Sequence, residues 1–204
     1  QTAKDRFAEA MSAESDMRQL ALEDIKFDNG DQWDDAAKQE RVGRPCITIN
    51  RVAGTNKKII GDARQNRPRI KARPVDSQGD VKTADLLTGL IRNIENVSDA
   101  ESAYDNGFEC AVRGSIGYWR VLTDYADDAA FEQDILIKRI VNPFAVYYDQ
   151  SAVEYDYSDA RYCFVTETIT KEQFKRRYPT AEPVEFETGG EGEAEANWFS
   201  EDTA

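Results

Sequence analysis

The sequence contains no histidine. That removes the commonest general base and metal ligand, and with them every catalytic triad that moves a proton through imidazole. Only carboxylates are left for acid–base or metal chemistry. Cysteine is sparse. Cys46, Cys110 and Cys163 form no close-spaced pair, and their apolar neighbours predict buried thiols, compatible with a reducing compartment. No apolar run approaches the roughly 18 residues of a spanning helix, so no membrane span or membrane partner is expected, and no signal peptide is visible. A phosphate loop is missing as well. Gly43-Arg44-Pro45 reads as a tight turn without the glycine spacing or the Lys-Ser/Thr pair of such a loop. No cofactor is expected.

What is present is a 204-residue chain, 40% apolar and 32% charged, with a net charge of −13. That length fits one or two domains and can bury a core. The acidic balance argues against a general nucleic-acid coat protein, though a local basic patch could still act. One stretch runs against the balance. Between Arg41 and Arg73 there are ten Lys or Arg and a single Asp, a formal +9.

Within it, 46–49 reads as a short strand and Asn50 as the N-cap of a helix on which Val52, Ile59, Ile60 and Ala63 share a face. Asn66-Arg67-Pro68 ends that helix. From Arg69 to Val75 the residues alternate, with Arg69, Lys71 and Arg73 on one side and Ile70 and Ala72 on the other.

The rest of the chain reads as α+β, several helices packed with a small antiparallel sheet. Helices are expected over 4–27, 34–41 and 80–97. Another is expected over 99–112, opened by a Ser98/Glu101 capping box. Strand formers fill 118–125 and 131–140 around a turn, predicting a hairpin, and further strands are expected at 144–148 and 161–168. Thr170 and Gln173 cap a helix over 171–178, with Phe174 and Tyr178 facing inward. From Thr180 to Ala204 there are eight acidic and no basic residues, which reads as an acidic flexible tail or linker. The domain is therefore expected over 1–179, helical to 112 and mainly β over 113–168, with the tail over 180–204.

Three readings of function follow from the residues. Asp124, Asp127, Asp128, Glu132 and Asp134 flank the hairpin turn, and Asp149, Asp156 and Asp159 crowd a loop. Paired carboxylates bind Mg²⁺ or run acid–base chemistry, but this spacing matches no calcium loop, and charges at a hairpin tip usually face water. The stretch 41–73 suggests a nucleic-acid-binding accessory domain, in which Arg67, Arg69, Lys71 and Arg73 lie along a phosphate backbone. The same side chains could instead pair with the acidic surface of this chain or of a neighbouring subunit. Broad apolar helix faces and Tyr- and Trp-rich strands permit a subunit interface, and Trp33 beside Phe27 reads as a local packing anchor.

Gly30-Asp-Gln-Trp33, Gly43-Arg-Pro-Cys-Ile-Thr-Ile-Asn-Arg51 and Gly61-Asp-Ala-Arg-Gln-Asn-Arg-Pro68 resemble the N-terminal region of tailed-bacteriophage portal proteins of the P22-like type. So do Ile70-Lys-Ala-Arg-Pro-Val75, Ala111-Val-Arg-Gly114, Gly117-Tyr-Trp-Arg-Val121, Asn142-Pro-Phe144, Ser158-Asp-Ala-Arg161 and Phe174-Lys-Arg-Arg-Tyr-Pro179. The resemblance covers residues 14–179. It implies a non-enzymatic structural subunit of a ring of about a dozen copies at one capsid vertex, through which double-stranded DNA is packaged and ejected. It further implies capsid protein, terminase and head-completion or tail proteins as partners. The location implied is the virion, with assembly in the host cytoplasm.

Such portals are longer, so this chain is expected to be the outer, wing-like part of a subunit, cut from a longer protein or truncated in a prophage. The resemblance assigns no catalytic or metal residue. It makes Trp33, Trp119 and Phe144 structural anchors and Arg44, Arg51, Arg64 and Arg67 contacts between elements or subunits. Arg69, Lys71 and Arg73 become the candidates facing DNA or a neighbour.

Overall fold

The computed structural model describes residues 2–75, 80–127, 131–154 and 156–180. The chain divides into two compact units, residues 1–166 and residues from 167 onward.

The first unit opens on a long helix, α1 (Ala3–Asp28). Thr2 and Asp5 start it with a capping box: the Thr2 hydroxyl accepts from the Asp5 amide, and the Asp5 carboxylate accepts from the Thr2 amide. Asn29 and Gly30 end it, Gly30 at a φ of +102°. Then come α2 (Asp35–Glu40), α3 (Val52–Gln65), α4 (Val81–Val97) and α5 (Ala100–Gly114).

The next pair of strands is a hairpin, β1 (Trp119–Tyr125) and β2 (Gln133–Arg139), antiparallel with Trp119 opposite Arg139 and Tyr125 opposite Gln133. A 3-10 turn over Pro143–Ala145 leads into β3 (Val146–Tyr148). That strand pairs antiparallel with β4 (Cys163–Val165), Tyr147 opposite Phe164. In the second unit, α6 (Lys171–Arg177) starts on the expected Thr170/Gln173 capping box, and the Phe174 and Tyr178 rings lie 5.4 Å apart.

Helix α5 is the centre of the first unit: α1, α3, α4, β1 and β2 all pack on it. The buried apolar residues are Ala10, Ala21, Ile60, Ala84, Ala100, Ala103, Ile137, Val146 and Tyr147. Most are alanine, so elements meet at close range rather than through large side chains. Where α5 turns into β1 the approach is closer still: a Cβ on Gly117 would stand 1.7 Å from the Gly107 carbonyl oxygen. At the far end of α1, the Phe7 ring meets Tyr147 edge-on at 4.9 Å and Phe164 at 5.6 Å. Arg18 is buried on α1. Its guanidinium lies 3.8 Å from the Tyr147 ring centroid, is held by Glu14, and donates to the carbonyls of Phe144 and Val146. This fixes the long helix to the turn ahead of β3.

Several sequence-based expectations differ from the structure. Residues 46–49 form no strand, and 69–75 run without a ladder, because the described strands pair only as β1–β2 and β3–β4. Residues 143–145 form a 3-10 turn in place of the start of a strand. The fourth strand is confined to three residues. The Ser98/Glu101 capping box does not form. Asp99 takes the cap position in the left-handed region, at a φ of +49°, and the buried Ser98 hydroxyl has no partner among the described residues. Glu101 turns to Arg67 instead.

The cysteines differ too. Cys46 and Cys163 are exposed, and only Cys110 is half-buried, where burial pushes its thiol pKa up. The expected tail lies, from residue 181, outside the described residues.

Candidate functional site: the basic stretch and its partners

The stretch 41–73 is tied to the frame at its middle. Asn50 accepts from the Ala53 amide at 3.1 Å, the bond of an N-cap, one residue ahead of the formal cap of α3, Arg51. Its amide nitrogen donates to the Asp28 carbonyl at 2.6 Å, and its oxygen also accepts from Gln32. The Asp28 carboxylate, buried at the end of α1, accepts from Asn56 of α3 at 3.0 Å and from Arg113 of α5 at 2.7 Å. One carboxylate thus joins three helices.

The basic side chains then divide into two groups. Arg64 reaches Asp105 at 3.4 Å and Glu109 at 3.0 Å. Arg67 holds Asp105 at 2.7 Å and pairs with Glu101, which raises its pKa. Arg113 closes the row on Glu109 at 3.6 Å. The acceptors Glu101, Asp105 and Glu109 recur every four residues, a single stripe along α5. These cations therefore serve the α3–α5 contact.

Arg69, Lys71 and Arg73 do not. They are exposed, make no ion pair among the described residues, and sit on a segment outside any helix or strand that is held to α4 by the Ala72 amide donating to Thr88 Oγ1 at 3.2 Å. Arg44 and Arg51 are likewise exposed and without an ion pair among the described residues.

Of the three expected anchors, none is buried. Trp33 is half-buried under the Arg41 guanidinium at 4.9 Å. Trp119 is 49% exposed, with its ring against Tyr104 at 5.3 Å. Phe144 is half-buried, its carbonyl taken by Arg18. The largest fully buried side chain is Tyr147. Its ring meets Phe7 and Arg18 of α1, a convergence that short-range pattern does not reveal. Arg18 was equally hidden; its i−4 neighbour Glu14 looks like an ordinary surface pair.

The loop carboxylates are engaged in shaping backbone. Asp149 is buried and accepts from Arg161 Nε at 2.9 Å, from Ser151 Oγ at 2.8 Å and from the Ser151 amide at 3.0 Å; the Arg161 bond leads in holding it well below the usual carboxylate range. Asp159 accepts from the amides of Val153 and Glu154, and Asp156 from that of Ser158. On the hairpin, Asp124 stands directly opposite Asp134, and of the two only Asp124 has an ion-pair partner among the described residues, Lys138 at 3.6 Å. Asp128 lies outside the described residues. Among the described residues, no group of three or more acidic or Cys side chains is placed to hold a metal ion, and no helix is long and apolar enough to cross a membrane.

In this α+β frame the polar groups described above join helices and shape loops. The chain belongs to the phage P22-like portal protein family, whose model matches residues 4–204. A portal protein of Acyrthosiphon pisum secondary endosymbiont phage 1 is 29% identical over 209 residues, an alignment covering 97% of this chain and 29% of that protein. The chain therefore spans less than a third of the length of this relative.

Proposed function

We propose that this chain is the wing-like part of a portal subunit, which in its longer form assembles into a ring at one capsid vertex and passes double-stranded DNA during packaging and ejection. The family match over residues 4–204 carries this reading. The placement of polar groups supports a structural, non-enzymatic role: Arg18, Arg64, Arg67 and Arg113 join elements, and Asp149, Asp156 and Asp159 shape a loop. Contacts with terminase, head-completion or tail proteins and capsid protein belong to the longer protein, and its location is the virion, after assembly in the host cytoplasm.

Sedimentation velocity on the complete protein tests the proposal. The expected result is a closed oligomer of about a dozen copies, in equilibrium with monomer at low concentration. A complete protein that remains monomeric across the micromolar range overturns it.

A further inference from the structure

We propose that the exposed row Arg69, Lys71 and Arg73 docks on the acidic tip of the β1–β2 hairpin of a second copy of this chain. The contact rests on the ring reading above and names two surfaces that meet in it.

Two unbalanced surfaces occur in the same unit. The first is the row itself. Its three cations have no ion-pair partner among the described residues, whereas Arg64 and Arg67, just before it, are fully engaged with α5. Its backbone belongs to no described helix or strand, and all three cations are exposed within five residues of one another.

The second surface is the hairpin tip. Asp124 and Asp134 are directly opposed in the register, an arrangement of like charges that destabilises a strand pair. Lys138 lies near Asp124, but neither Asp134 nor Glu132 is paired among the described residues. A cation from outside relieves that repulsion.

The two surfaces are opposite in sign, and neither satisfies the other within one copy. A contact between unlike patches is the kind that propagates head to tail and closes into a ring. Duplex DNA is the rival occupant of the row. A net charge of −13 disfavours a polyanion, whereas pairing the row with the hairpin gives Glu132 and Asp134 a partner that DNA cannot supply.

Charge reversal in the complete protein tests the contact, with the NaCl concentration at which the oligomer dissociates as the readout. Arg69→Glu/Lys71→Glu/Arg73→Glu is expected to lower that concentration about twofold or more. Glu132→Lys/Asp134→Lys is expected to do the same. Combining all five substitutions in one chain restores tolerance towards that of the unmodified protein. Asp124 is left in place, because Lys138 already attends it. Circular dichroism of each variant verifies that the fold is kept.

Loss in both single sets without recovery in the combination overturns the pairing. An oligomer indifferent to every variant overturns the contact and leaves the ring intact; a complete protein that never assembles overturns both. Unchanged assembly with loss of salt-sensitive duplex binding in the Arg69/Lys71/Arg73 variant also overturns the contact and gives the row to DNA.

Discussion

A methyl group at Gly117 would meet the Gly107 carbonyl oxygen at 1.7 Å, and the obstacle is backbone, which cannot swing aside as a side chain can. Gly117→Ala is therefore expected to destabilise the fold by about 3 kcal/mol, with the urea midpoint falling while the slope is kept. Asp149 makes a different kind of demand, because its contribution depends on charge. Its folded-state pKa is depressed, chiefly by Arg161. The stabilisation is thus present above the unfolded value near 3.8 and is lost as pH falls below it towards the folded value. Asp149→Asn should be the less stable protein at pH 7, and the gap should narrow between pH 4 and lower pH. Urea midpoints measured at pH 7 and at pH 3 check this; an equal gap at both would show that the charge contributes nothing.

Among elements, the Asp28 junction is the decisive contact. Arg113→Ala leaves a buried carboxylate with Asn56 as its remaining side-chain donor, and is expected to cost about 2 kcal/mol in chemical denaturation. The exposed Arg64 and Arg67 pairs are screened by water and salt, so their loss should matter less. Helix α4 was legible because Leu86, Leu90 and Ile94 repeat at the helical period, and the β1–β2 hairpin because strand formers flank a turn. The α3–α5 row was not legible as a pairing. Arg64 and Arg67 could be read as a nucleic-acid grip, and Glu101, Asp105 and Glu109 as a solvated face, until tertiary approach set them side by side. Residues 46–49 show the converse. Cys46-Ile-Thr-Ile49 has strand propensity, but a strand also needs a partner brought alongside it, and no described strand lies in a ladder with this segment.

At the scale of the molecule, a core built largely of alanine leaves big apolar side chains outside it. Leu86 is 69% exposed, Ile47 72% and Ile49 75%. Scattered exposure of this kind is ordinary, but α4 carries Leu86, Leu90 and Val97 outward along one helix. In a chain that spans 29% of its relative, such surface is expected to become protected from hydrogen exchange when the complete protein assembles, and to exchange freely when this chain is alone. Which side of α4 faces outward is settled at its C-terminal end. Only Ser98 and Asp99, the latter in the left-handed region, separate α4 from α5, so the chain itself indexes the rotation of one helix about the other. One residue inserted in the last turn of α4 would turn the rest of that helix by about 100° relative to the corner. That would take Thr88 away from the Ala72 amide and carry the leucine row to a new bearing. In this architecture the number of helical residues between the leucine row and the corner decides which side of α4 carries that row.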